Sequence, residues 1–194
     1  MDFTNRKSKV KYIHGNYPGY YSYRHESMDP DQTYDARLKE LSDKFKMIPE
    51  SSNGLSDIVG GKNCLDLGCN AGLVTIDVAL NFHPSWIIGV DLDPELIRKA
   101  RNNLAKLPTI NSNVRFSCDN ILDYLHCPMN YDVIFCLSVT KWIHLNSGDE
   151  GIVSLFEKIK QALKVGGIFI LEPQPFPSYA RRKNLSNVIT GICY

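Results

Sequence analysis

Apolar and polar positions recur along this chain with two periods, and the switches between them mark out its elements. Residues 1–34 follow neither a period of 2 nor one of 3.6. They are polar and aromatic, with five tyrosines by Tyr23 and a sixth at Tyr34, and they predict an arm with short helical pieces. Over residues 35–47 the period becomes helical. Leu38, Leu41, Phe45 and Ile48 fall on one side with charges between them, as in an amphipathic helix lying on other structure. The stretch PESSNGLSD is turn chemistry and leads into the main body.

From residue 62 onward, short apolar runs alternate with helical stretches. NCLDLG predicts a strand ending in glycine, followed by a helix near 72–82, and WIIGVDLD a second strand. Asp93 then caps a helix with Pro94 at its first position and Leu96, Ile97, Ala100, Leu104 and Leu107 as the buried stripe. VRFSC near 114–118 and YDVIFCLS near 131–138 are the third and fourth strands. GDEGIVSLFEKIKQALKVGG reads as a long helix with Ile152, Leu155, Phe156, Ile159 and Leu163 on one face, stopped by Gly166 and Gly167; GIFILE is a fifth strand. Continuous apolar strands separated by helices specify a parallel sheet covered on both faces, a doubly wound α/β domain. After the fifth strand only residues 172–194 remain. They are too few for another strand–helix–strand unit, so a C-terminally shortened sheet is expected.

Composition narrows the class. The 194 residues suit one domain, and 22 basic against 21 acidic side chains exclude a chain-wide basic coat, leaving local patches for any nucleic acid. No apolar run approaches the roughly 20 residues of a spanning helix, and MDFTNRKSKVKY has no apolar stretch behind its basic residues to make a secretory signal. Six scattered cysteines without a C-x-x-C pair speak against a zinc site or disulfide framework. An intracellular soluble domain without a metal is expected.

Ligands of such sheets bind at the carboxyl ends of the strands, where the strand order reverses. Asp66-Leu67-Gly68-Cys69-Asn70-Ala71-Gly72 stands at the first of these ends and lacks the G-x-G-x-x-G of dinucleotide binding, which argues against NAD or FAD. Its D-x-G-x-x-x-G turn instead lets a ligand lie against backbone, with a carboxylate near for a positive group. Asp91 ends the second strand, where an acid can accept from both ribose hydroxyls. Asp119-Asn120 ends the third, where an amide or carboxylate can meet an adenine amino group. Together these features resemble the class I S-adenosylmethionine-dependent methyltransferases, with their Rossmann-like, mostly parallel sheet. The resemblance implies S-adenosyl-L-methionine as cofactor and S-adenosyl-L-homocysteine as product.

Longer strings carry a narrower resemblance. LSVTKWIHLNSGDEG, LEPQPFPSYARRK and GNYPGYYSYR, spread in order from about Gly15 to Lys183, closely resemble the Bin3 family of RNA methyltransferases, and most of all its methylphosphate-capping branch. A sister branch acting on 5′-monophosphates has a hydrophobic residue in place of Lys141 and an altered arm. The similarity implies transfer of a methyl group to the γ-phosphate at the 5′ end of a small RNA. It also implies a nuclear, and secondarily cytoplasmic, monomer with ribonucleoprotein proteins as further partners and no membrane. It divides the chain into residues 1–50, an aromatic and basic arm with its amphipathic helix as a lid over RNA and cofactor, and residues 51–194, a methyltransferase domain cut short after its fifth strand.

That chemistry asks little of a general base, because a phosphate oxygen is already anionic at neutral pH. It asks for in-line placement and for donors to hold three phosphates. Tyr20, Arg24, Lys141 and His144 are suited to this catalytic part. By resemblance Tyr21, Arg37, Asp66, Gly68, Cys69, Asn70, Asp91, Leu92, Asn120 and Leu137 form the cofactor site, with the Arg37 guanidinium suited to pair with the methionine carboxylate. Tyr17, Tyr23, Gln174 and Tyr179 face the first nucleotides, and Arg181, Arg182 and Lys183 take backbone phosphates. Plainer roles stand beside these: Trp142 and Ile143 as packing, His144 as a structural histidine, the tyrosines as a staple for the arm, the RRK run as a solvated tail. A non-catalytic RNA-binding scaffold, a low-activity isoform, a 5′-monophosphate methyltransferase and a small-molecule methyltransferase are the competing functions. Aromatic and basic residues interleaved at both ends of the domain speak against the last.

Overall fold

The computed structural model describes residues 13–17, 35–110, 112–125 and 130–180. Five parallel strands form its centre: β1 (Asn63–Leu67), β2 (Trp86–Asp91), β3 (Val114–Cys118), β4 (Tyr131–Leu137) and β5 (Leu163–Glu172), in the order β3-β2-β1-β4-β5. Helices α1 (Ala36–Phe45) and α2 (Leu55–Val59) precede the sheet. The parallel crossovers run through α3 (Leu73–Phe82), α4 (Pro94–Leu104), α5 (Ile121–Tyr124) and α6 (Thr140–Ala162), and α7 (Pro177–Ala180) follows β5.

Successive strand residues point to opposite faces and feed two cores. Cys64, Ile87, Val133 and Phe135 pack with Leu38 of α1, Leu55 and Val59 of α2, Val78 and Ala79 of α3, and Ile97 and Ala100 of α4. Leu65, Leu67, Ile134 and Cys136 pack with Ile121 of α5 and Leu155, Ile159 and Ala162 of α6. A central strand buried on both faces is why β1 and β4 read as unbroken apolar runs. The chain leaves β1 for one face and β4 for the other, so the switch point, and the crevice it opens, lies at the carboxyl ends of these neighbours.

Several expectations need correction. Helix α1 ends at Phe45, so Ile48 falls in the turns beyond it and is exposed; Leu107 lies past the end of α4 but still packs, half-buried, against the core. Helix α6 begins at Thr140 rather than at Gly148: TKWIHLN makes its first turns, and Gly148 (φ 65°, ψ −166°) breaks it. It ends at Ala162, before the glycine pair that was expected to stop it. Gly166 and Gly167 lie within β5, at a register shift where Tyr131 pairs with Leu163 but Val133 with Ile168. This is a bulge, which needs Gly166 at φ 77°. Phe156 is exposed and lies edge-on to Phe169 of β5 instead of joining the α6 core face.

Candidate functional site

A cleft of about 470 Å³ opens at the carboxyl ends of the strands. Its walls are Gly68 and Asn70 after β1, Asp91 at the end of β2 with Leu92 and Asp93 beyond it, Asn120 after β3, and Leu137 at the end of β4 with Ser138 and Val139 beyond it. Trp142, Ile143 and Asn146 of α6 and His14, Gly15 and Asn16 close it.

The loop after β1 is built from left-handed residues. Gly68 has φ 74° and donates its N–H to Val90 O (2.8 Å); a Cβ there would collide with the Val139 side chain. Asn70, at φ 52°, stabilises its own turn, its Oδ1 accepting from Ala71 N–H at 2.8 Å. Two backbone N–H groups steer the Asp91 carboxylate: Asn70 N–H donates to Oδ2 (2.8 Å) and Asp93 N–H to Oδ1 (3.0 Å). Burial pushes the Asp91 carboxyl up, and these N–H bonds oppose that. A carboxylate has about four acceptor sites, so the fixed Asp91 side chain retains capacity to accept from a ligand hydroxyl. Asn120 caps α5, its Oδ1 accepting from Leu122 N–H at 3.1 Å.

Three residues expected beside a cofactor stand outside this lining. Asp66 is buried beneath α3, its Oδ2 accepting from the Thr75 hydroxyl at 2.6 Å. Burial pushes its carboxyl up to about 6, against the Thr75 hydrogen bond and the Arg37 charge. Cys69 is buried, and its N–H donates to Val90 O (3.0 Å). Arg37 holds Asp35 through two bonds of 2.9 Å and reaches Glu172 Oε2 with Nη1 at 3.2 Å.

On the β4–β5 side, Lys141 is buried in the first turn of α6, with Nζ 4.6 Å from the Trp142 ring centroid. Its backbone N–H donates to Gln174 Oε1 (3.3 Å), and Gln174 Nε2 donates to Ser138 O. Glu172 Oε2 accepts from the Ser138 hydroxyl at 2.7 Å. His144 has partners at both ring nitrogens, Asp149 Oδ1 at 2.7 Å from Nε2 and the Tyr179 hydroxyl at 3.4 Å from Nδ1. Tyr179 lies edge-on to His144 and stacks on Phe176, and burial pushes its phenol up.

Residues 13–17 are tied over the mouth of the cleft by three asparagines. Asn16 Nδ2 donates to Asp93 Oδ2 (2.6 Å), Asn146 Nδ2 to Ile13 O (2.9 Å), and Asn70 Nδ2 to Tyr17 O (3.4 Å). Tyr17, expected on RNA, lies edge-on to Trp142 with ring centroids 5.9 Å apart. Sequence reasoning gave no role to Asn16, Asn146 and Ser138 and read Asp93 only as a cap; Trp142, read as packing, packs with Leu145, Tyr17 and Tyr179 while also lining the cleft. The GNY string was the one signal for Asn16. Tyr20, Tyr21, Tyr23 and Arg24, and Arg181, Arg182 and Lys183, lie outside the described residues.

Known proteins share this architecture. The geranyl diphosphate C-methyltransferase of Streptomyces coelicolor A3(2) superposes with a TM-score of 0.52 at 21% identity, over 73% of this chain and 51% of that one, so the two share the same fold. The family model for Bicoid-interacting protein 3 (Bin3) matches residues 131–193. The pre-miRNA 5′-monophosphate methyltransferase of Xenopus laevis is 31% identical over 86% of this chain and 68% of its own length. A probable RNA methyltransferase of Arabidopsis thaliana is 34% identical over 93% and 66%, and the human 7SK snRNA methylphosphate capping enzyme 30% over 95% and 33%. The chain belongs to the Bin3 family. It spans between a third and two thirds of the length of the last two relatives.

Proposed function

We propose that the protein is an S-adenosylmethionine-dependent methyltransferase that methylates the 5′ γ-phosphate of a small RNA. One observation carries the reading: the Asp91 carboxylate, held by two backbone N–H groups, faces a cleft floored by the left-handed Gly68–Asn70 loop. These residues fit the proposed cofactor, whose ribose diol suits a carboxylate with acceptor capacity left and whose body suits a loop without a Cβ at Gly68. When bound, S-adenosylmethionine supplies an electrophilic sulfonium methyl group. The family's relatives named for methylphosphate capping and 5′-monophosphate methylation support phosphate as the acceptor.

Every further demand falls on this chain's residues. A phosphate oxygen is anionic at neutral pH, so no proton need be removed; the acceptor has only to be oriented and its charge held. In this reading Lys141, with Tyr20 and Arg24 of the arm, holds the 5′ phosphates. His144 keeps Tyr179 in place for the first nucleotides, since both its ring nitrogens already have partners. The same reading extends to a nuclear small RNA and its bound proteins.

The test is methyl transfer from labelled S-adenosylmethionine to a 5′-triphosphate hairpin. Asp91→Ala is expected to weaken S-adenosylhomocysteine binding at least tenfold by calorimetry. Lys141→Ala is expected to leave that affinity within about threefold while turnover falls at least tenfold. Unchanged turnover in Lys141→Ala would remove the phosphate-holding role.

A further inference from the structure

Ser138 joins β4 to α6 at φ 63°, a region that serine rarely takes. It is buried, and the end of β5 holds each of its polar groups. Its N–H donates to Glu172 O (2.9 Å), its hydroxyl to Glu172 Oε2 (2.7 Å), and its carbonyl accepts from Gln174 Nε2. Gln174 Oε1 also accepts the Lys141 N–H, one of the orphan donors in the first turn of α6. The residue at the N-cap, Val139, has no side-chain hydrogen bond to give, so Gln174 caps this helix from another element. The clamp is itself anchored, because Glu172 Oε2 takes Arg37 Nη1 (3.2 Å) and Arg37 is fixed on Asp35. The turn it shapes faces the cleft: Leu137, Ser138 and Val139 line it, and Val139 fills the space a Cβ on Gly68 would need.

We propose that Glu172 and Gln174 are positioning residues for methyl transfer, holding Ser138 in the left-handed turn that sets Val139 against the Gly68 loop and starts the helix bearing Lys141. The inference rests on the methyl-transfer reading above. It gives Gln174, expected from its motif to meet RNA, a role inside the protein. It also explains why a β-strand end should send two polar side chains back across the sheet: a serine at φ 63° is held there only by such contacts, whereas glycine would adopt the turn unaided.

That contrast supplies the test. Gln174→Leu, Ser138→Gly and the double variant are compared for S-adenosylhomocysteine Kd, kcat, and KM for a 5′-triphosphate hairpin. Gln174→Leu is expected to lower kcat about tenfold and raise the S-adenosylhomocysteine Kd a few-fold, with the RNA KM within twofold. Adding Ser138→Gly is expected to restore a large part of both losses, because glycine makes the clamp dispensable. Glu172→Gln, which preserves shape, provides a milder second series judged by the same recovery. The proposal is overturned if Gln174→Leu behaves as wild type, if its loss lies in RNA KM alone, or if glycine recovers nothing. Should the wild type bind S-adenosylhomocysteine yet methylate no RNA, the methyl-transfer reading fails, and the clamp stands or falls on the Kd series. A wild type that does not bind S-adenosylhomocysteine overturns both.

Discussion

Asp66 and Asp77 carry carboxyls that burial pushes up to about 6 from an ordinary value near 3.8. A carboxyl that is harder to ionise in the folded state binds more protons there than in the unfolded chain between those two pH values. Each therefore subtracts from stability as pH rises from about 4 to 6, and the full cost is present above 6. Asp77→Asn keeps an acceptor for the Asp35 N–H that Asp77 Oδ2 now takes at 3.0 Å. Denaturant unfolding should find the variant about 1–2 kcal/mol more stable than wild type at pH 7, with the gain vanishing toward pH 4. A gain independent of pH would show that the carboxyl is not the source. At this scale the sequence pointed to Gly68, Asn70, Asp91, Asn120 and Leu137, which the fold brings to the wall of one cleft, because doubly wound sheets put ligands at strand ends and the strand ends were legible. It did not reveal Asn16 against Asp93 or Ser138 against Glu172. These pairs are separated by 77 and 34 positions, and no period or short motif reports a side-chain bond of that span.

Helix α4 shows how one cap serves two elements. Asp93 Oδ1 accepts from the N–H groups of Glu95 (2.8 Å) and Leu96 (3.3 Å), while Oδ2 takes Asn16 of the segment over the cleft. Burial works against the charge, but the Asn16 amide and these N–H groups outweigh it and hold the carboxyl below its usual range. Asp93→Ala should cost about 1–2 kcal/mol in denaturant unfolding. Asn16→Ala, which leaves the cap intact, should cost less than half as much; equal costs would show that the tether, not the cap, is what matters. The cap was legible because D-P opens a helix with a strong apolar stripe. The start of α6 was not, since TKWIHLN lacks a side-chain cap and draws its cap from Gln174, 33 positions away. The glycine pair misled for a related reason: glycine ends helices and also opens bulges, and only pairing with β4 decides between them.

Across the whole molecule, the two cores leave the ends of β1 and β4 as the natural place for a ligand, and loops from four strands and residues 13–17 meet there. A ligand that binds only this folded arrangement must stabilise it. S-adenosylhomocysteine at a hundred times its Kd should add about 2.7 kcal/mol, a rise of about 5–10 °C in the unfolding midpoint. NADH should give no shift; an equal shift would contradict the cofactor reading. Fold class and the place of the crevice were thus readable from alternating apolar runs, while the proposed cofactor and acceptor rest on the motifs, the longer strings and family membership. The most direct measurement of the central claim is transfer of label from S-adenosylmethionine to one hairpin RNA bearing a 5′-triphosphate, a 5′-monophosphate or a 5′-hydroxyl. The account predicts label on the triphosphate form and none on the hydroxyl form. Label on the hydroxyl form, or on the monophosphate form alone, would contradict γ-phosphate methylation.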